Sequence, residues 1–503
     1  MKINIRIVNV NILIFLLLIT FARNNDQLNF FWPSMDMITF YSKFFSDNQY
    51  VNDFMTICYE KFTGRYYFGF ITGSIYNFFS DWYNFLIFYR VLIFLFLPIS
   101  WFLALKVLFR KDNLNISIIV ILIYTAINRS WRDIFSFATW NPYFFHFHPS
   151  TFASMFTLLG IYFLYKKNKN IFLASIFIIL GSFSHPIFSF SILFIFNYFI
   201  FIIEKDLKNI LISLSLNLST IIFQSFQGNF GSLDISSYVL YFSQFHPHHY
   251  LPSSQEGLLE DIFIIAVLFV LLNVFPGGSN KKVTLILSIS FYSLFVLGIL
   301  LQYYFVELYP FSKTIVLASP SRFSSLVYWM FVICFLQKFR LKLSYFENKV
   351  YNFMGFKSFI ILILVNIALL FTIANDLNST KIFHKSTHLS QDEIKVFKWV
   401  KENTQSTDTF LVIGEPNFNY FFTSETSRGQ YLAVGYPFND KCIVENYERK
   451  AKFANREIQQ VINDLILINT TEFEYIITNK SIKTDDLEII YLNGTYSVIK
   501  IKP

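Results

Sequence analysis

The chain has 503 residues, of which 54% are hydrophobic, 20% aromatic and only 15% charged, with a net charge of +8. An ordinary soluble domain carries about 25% charged residues, so this inventory cannot cover a water-facing surface along the whole length. It excludes a nucleic-acid partner as well: the Lys and Arg residues fall in short clusters between apolar runs, and no soluble element shows a basic face with interleaved aromatics.

Up to Ala374 the sequence is a series of apolar runs of about the length that spans a hydrocarbon core, and beyond "NDLNSTK" it becomes mixed and charged. The expected fold is therefore a polytopic α-helical membrane protein, residues 1–375, followed by a small α/β soluble domain, residues 376–503. About eleven spans are expected, near 5–22, 84–107, 114–129, 150–165, 171–184, 187–203, 209–226, 260–275, 283–304, 322–338 and 358–375. The first run follows Lys2 and Arg6 and lacks a small-x-small cleavage site, so it reads as an uncleaved span rather than a signal peptide.

Orientation follows from the connectors. Lys2/Arg6, "KVLFRK" (Lys106 to Lys111), "KKNK" (Lys166 to Lys169), "EKDLK" (Glu204 to Lys208), "NKK" (Asn280 to Lys282) and "QKFRLK" (Gln337 to Lys342) all land on one side when spans alternate. The positive-inside rule makes that side the cytoplasm. The amino terminus is then inside and the tail extracytoplasmic, in a multi-pass protein of the cytoplasmic (inner) membrane.

On the outer side lie all eight histidines, with His-Pro pairs at His148, His185 and His246. Proline starts or ends a helix there, and an imidazole at that depth can sit in a half-wet cavity or in an interfacial aromatic belt. The first outer loop, residues 23–83, is long and acidic, with Asp26, Asp36, Asp47, Asp53, Glu60 and Asp81. Later outer connectors add Arg132, Glu256, Glu260, Asp261, Glu307, Lys313 and Arg322. Acids in one loop and nitrogen cations in others divide the labour that sugar transfer from a lipid phosphate needs. A carboxylate takes the acceptor hydroxyl's proton, while guanidinium and imidazole groups steady the departing phosphate. Asp26, Asp53 and Asp36 are the candidate bases; Arg322, Arg132, His185 and His148 are the candidate phosphate ligands. No metal-ligand spacing occurs, and no cofactor is indicated. Of the three cysteines, Cys58 and Cys442 share the predicted oxidising side, which leaves a bridge between them open.

The tail reads as a helix at "QDEIKVFKWVKEN" with acids first and a lysine late, a strand at "TFLVIG", and a charged amphipathic helix from Cys442. A further strand is expected at "FEYIITN", then a hairpin turning at Asn493-Gly494.

Four places carry a resemblance: the acidic outer loop with "SDNQYVNDFMT" and "TGRYYFGFI"; the His-Pro-bracketed hairpin from "FHPSTF" to "FSHPIFS"; "SPSRF"; and "EIKVFKWVKENTQSTDTFLVIG". In these the chain resembles bacterial integral-membrane proteins of the GT-C glycosyltransferase-like type with a short extracytoplasmic tail. The resemblance implies a polyprenyl-phosphate sugar donor within membrane lipid and a base in the first outer loop, at Asp26 or Asp53. Many of those enzymes have an Asp-Glu pair directly after the first span; this chain does not. The competing expectation is a non-enzymatic or transport partner, flippase- or polymerase-like, in cell-surface glycan or lipid assembly. Spans nearly free of charge, apart from Arg90, weigh against transport.

Overall fold

The computed structural model describes residues 66–127, 149–245, 251–353 and 390–501, with interruptions inside each range. It divides into two compact bodies. One comprises residues 1–28, 87–225 and 247–383; the other comprises 29–86, 226–246 and 384–503.

In chain order the helices are α1 (Tyr66–Tyr76), α2 (Trp82–Leu108), α3 (Asn115–Ile127), α4 (Pro149–Tyr165), α5 (Ile171–Ser184), α6 (Pro186–Glu204) and α7 (Leu207–Gln227). They continue with α8 (Ile235–Phe245), α9 (Leu258–Val274), α10 (Lys281–Gln302) and α11 (Val327–Phe353). A π-helical turn, Tyr303–Leu308, prolongs α10.

The expectation of about eleven membrane spans is corrected by these lengths. Among the described residues, three helices are long and apolar enough to cross a membrane: Pro186–Glu204, Leu207–Gln224 and Lys281–Leu308. Helices α3, α4, α5 and α9 have 13, 17, 14 and 17 residues. At about 1.5 Å per residue these are shorter than a hydrocarbon core of about 30 Å. The break expected between 184 and 187 is present, since Pro186 has no N–H to continue α5, but α5 itself is only 14 residues long. Helix α2 carries Pro98 within it, and α11 turns polar from Gln337 onward. The expected spans at 5–22 and 358–375 lie outside the described residues.

Helices α4 to α7 pack with alternating direction. Gly160 of α4 faces Ala174 and Ile178 of α5, and Gly181 of α5 faces Ala153 and Thr157, so these two run antiparallel. Thr157 bonds Ser189 at 2.7 Å and Tyr165 bonds Asn197 at 2.7 Å, a constant offset that makes α6 parallel to α4. Asn197 donates to Ser213 at 2.8 Å and Asn217 donates to the Pro186 carbonyl at 3.3 Å, which makes α7 antiparallel to α6. Elsewhere in the same body, Trp101 of α2 stacks on Trp329 of α11 with centroids 3.7 Å apart.

The burial pattern of α7 is the reverse of that expected in water. Asn209, Ser213, Asn217, Thr220 and Gln224 are buried at helical spacing, Asn217 completely, while Leu211 is 62% exposed and Leu207, Leu218 and Ile222 are exposed beside it. Helices α9 and α10 likewise display Phe263, Val270, Ile289 and Leu297 outward. A soluble amphipathic helix does the opposite.

The second body holds the carboxyl-terminal domain. Here α12 (Gln391–Asn403) begins with a reciprocal capping box between Ser390 and Glu393. Five strands follow: β1 (Thr409–Ile413), β2 (Gly429–Gln430), β3 (Tyr475–Thr478), β4 (Leu487–Leu492) and β5 (Ser497–Ile501). Helices α13 (Pro416–Thr426) and α14 (Asp440–Ala451) lie between them in sequence. The sheet order is β2-β1-β3-β5-β4, with β1 parallel to β2 and β3 and the β4–β5 hairpin antiparallel. Its turn uses Gly494 at φ +90, a left-handed value that favours glycine. Leu411, Tyr431, Phe473, Ile476 and Ile499 form a core on the sheet. Buried Arg428 donates to the carbonyls of Lys401 and Thr404, closing the end of α12. Helix α8 joins this body through Tyr241, whose ring lies 4.6 Å from that of Tyr447 on α14. Cys442 is disulfide-bonded and Cys334 is a free, buried thiol; Cys58 lies outside the described residues.

A Cβ on Gly160 would stand 2.6 Å from Ile178 and 3.2 Å from the Ala174 carbonyl, and the space at Gly181 is as tight. Gly160→Val or Gly181→Val should therefore destabilise the α4–α5 pair by about 1–3 kcal/mol, read as a lower unfolding midpoint of purified protein.

Candidate functional site

Of the seven residues singled out in the sequence for chemistry, only His185 falls among the described residues. Asp26, Asp36, Asp53, Arg132, His148 and Arg322 lie outside them.

His185 serves both helices that it separates. Its backbone N–H donates to the Gly181 carbonyl at 3.1 Å and closes α5. Its ring Nδ1 accepts from the Phe188 N–H at 3.3 Å and caps α6, with Pro186 at the first helical position. An accepting Nδ1 is an unprotonated one. The ring is buried and packs edge-on against Phe188.

Around this corner lies a hydroxyl and amide seam. Ser182 and Ser189 share a contact of 3.3 Å, Asn217 donates to Ser182 Oγ at 2.6 Å, and Gln224 donates to the Ser182 carbonyl at 3.4 Å. The Ser182 carbonyl is the one that would accept the N–H of residue 186 if α5 continued. Proline removes that donor, and Gln224 replaces it. The bonds to the Ser182 and Pro186 carbonyls fix both amides with nitrogen toward them. The oxygens Asn217 Oδ1 and Gln224 Oε1 are buried and have no partner among the described residues.

A second site forms where α9 begins and α10 ends. A hollow of ≈ 630 Å³ is lined by Pro252, Ser253, Gly257, Glu260, Leu300 and Tyr303, among others. Gly257 adopts φ +78, which lets the chain turn sharply into α9 and brings Glu260 into its first turn. Beside the hollow, the π-helical turn carries Glu307, whose carboxylate accepts from both the N–H and the hydroxyl of Ser253. π-helical turns often occur at functional positions; this one holds the 252–254 turn against the end of α10. Tyr304, Tyr309 and Phe311 are exposed around it, with Tyr304 and Tyr309 rings 5.0 Å apart. In the lining itself, the Glu260 carboxylate can accept hydrogen bonds and the Tyr303 ring offers an apolar face, a pairing that suits a hydroxylated ligand.

Glu260 and Glu307 were legible in the sequence as outer acids. Ser253 and Tyr303 were missed: the pairing depends on a π-turn, which leaves no spacing signature in "LLQYYFVELYP". Among the described residues no group of three or more His, Cys, Asp or Glu side chains could hold a metal ion.

Neither a family model nor any curated protein sequence matches this chain.

If His185 acts as a cap, His185→Asn should keep the unfolding midpoint near that of the parent. His185→Leu should cost about 1 kcal/mol, because an aliphatic side chain cannot accept from the Phe188 N–H. Equal losses in both variants, measured by thermal unfolding, would assign the ring a different task.

Proposed function

We propose that this protein is a membrane glycosyltransferase that moves a sugar from a polyprenyl-phosphate-linked donor to an acceptor at the outer face of the cytoplasmic membrane. The observation that carries the reading is the hollow at the start of α9 and the end of α10, where Glu260 and Tyr303 face a space bounded by the Ser253–Glu307 pair. It lies at the end of the helices opposite the lysine-rich connectors, since Lys338 meets the far end of α9 and Lys281 begins α10. Apolar side chains displayed by α7, α9 and α10 support placing the bundle in lipid, where the donor's chain would remain while its headgroup reaches the hollow.

In that reaction an acceptor hydroxyl attacks the anomeric carbon. The bond from that carbon to the phosphate oxygen breaks, and polyprenyl phosphate leaves with the electron pair. A carboxylate takes the hydroxyl's proton. The base is assigned to the first outer loop, at Asp26 or Asp53 with Asp36 third, and phosphate contacts to Arg322, Arg132 and His148. Glu260 is assigned to the sugar hydroxyls. Glu307, already engaged by Ser253, positions the hollow's rim.

The test is release of polyprenyl phosphate from a synthetic polyprenyl-phosphate monosaccharide by the reconstituted full chain. Asp26→Asn or Asp53→Asn should lower kcat by about 100-fold or more in one of the two cases. Glu260→Gln should raise KM about tenfold, as loss of a hydrogen bond from a charged group would. Parent-like kinetics in all three variants would remove the assignment, and no release by the parent would remove the activity.

A further inference from the structure

At the end of the bundle remote from the hollow, the connectors are joined into one platform. Arg110 at the end of α2 bonds Glu204 at 2.7 Å and the Tyr165 carbonyl at 3.0 Å, tying α2 to the ends of α4 and α6. Lys169 reaches Asp206 at 3.1 Å and links the α4–α5 connector to the α6–α7 connector. Asp112 faces Arg340 at 3.9 Å, and Glu347 accepts from the N–H and hydroxyl of Ser117, which fastens α11 to the start of α3. Lys338 donates to the carbonyls of Leu272, Asn273 and Phe275, closing α9.

These contacts occupy Asp112, Glu204, Asp206 and Glu347. Exposed Lys111, Lys167, Lys205, Lys208, Lys281 and Lys282 face no carboxylate among the described residues, and Lys342 and Lys349 of α11 add to the excess. Among the described residues, the positive charge is therefore in excess at this end of the bundle.

What such a surface takes is decided by what adjoins it. Phe172 is 73% exposed just beyond Lys169, Leu207 lies exposed between Lys205 and Lys208, and Leu285 follows Lys282 by less than one turn. Leu341, Tyr345 and Phe346 flank Lys342 in the same way. The Lys166 ammonium lies over the Phe163 ring at 4.4 Å, a cation–π contact that sets charge against an aromatic face. An acidic protein or a nucleic acid would meet the lysines but leave these apolar side chains in water. A phospholipid meets both, with its phosphate on the lysines and its chains along the adjoining apolar faces.

We infer that this lysine platform is a binding surface for anionic phospholipid headgroups, held at the end of the bundle opposite the hollow. The inference uses the bilayer placement given above but not the transfer reaction. Each lysine near an anionic surface contributes about 1 kcal/mol, so a few engaged together give clear selectivity over zwitterionic lipid.

The test uses the detergent-solubilised full chain, titrated with phosphatidylglycerol or phosphatidylcholine and followed by unfolding midpoint and by retained lipid phosphorus. Phosphatidylglycerol should bind at least about tenfold more tightly. The preference should shrink in high salt and in the combined variant Lys167→Gln, Lys205→Gln, Lys208→Gln, Lys282→Gln, none of which touches the hollow. Equal binding of the two lipids, or stronger binding of polyglutamate or RNA than of phosphatidylglycerol, would overturn the inference. Because the readout is lipid binding, it can fail while sugar transfer stands, and the reverse.

Discussion

The structure depends on hydrogen bonds made inside a bundle whose outside is apolar. Ser182, Ser189, Asn197, Ser213 and Asn217 bond from helix to helix across α5, α6 and α7, with Thr157 and Tyr165 of α4 joining them. In water such groups gain little from being buried, since solvent would satisfy them equally well. In lipid an unmade bond costs more, and interhelical bonds of this kind contribute about 0.6 kcal/mol each on average. Leucines displayed on the opposite face of α7 complete the inversion. The proposed bilayer placement rests on this constraint, more firmly than on any count of apolar residues.

From that constraint the two ends of the bundle acquire different tasks. At one end the charged connectors are cross-linked by Arg110, Lys169 and Arg340, and lysines remain in excess. At the other, helices stop at His185 and start at Gly257, and the side chains are hydroxyls, amides, carboxylates and tyrosines. The seam supplies rigidity between them: α4 and α5 approach closely enough that glycine is required at 160 and 181. The proposed headgroup site needs such a fixed frame, because a carboxylate misplaced by about 1 Å forfeits much of its effect.

Much of this was readable in the sequence, for reasons that can be named. The positive clusters foretold the lysine platform because charge must avoid the apolar layer. The strands at Thr409 and Tyr475 and the turn at Asn493-Gly494 announced themselves by β-branched runs and turn chemistry. The span count failed because hydropathy records composition, whereas a helix ends where a hydrogen bond cannot be made. Helices α3 and α5 are apolar without being long enough to span. Two further features left no local signal. The short strand β2 exists only as a partner for β1, and the Ser253–Glu307 contact joins residues far apart in the chain. The histidine in "FSHPIF", notable in the sequence as a titratable ring, is placed as a cap between two helices.

The most direct measurement of the central claim is the environment of α7's outward face. Spin labels introduced at Leu211, Leu218 and Ile222 through single cysteine replacements, in protein reconstituted into vesicles, can be challenged with molecular oxygen and a water-soluble nickel chelate. A bundle that turns apolar side chains toward lipid predicts ready relaxation by oxygen and exclusion of the chelate at all three positions. Strong relaxation by the chelate at these positions would place the face in water and contradict the account.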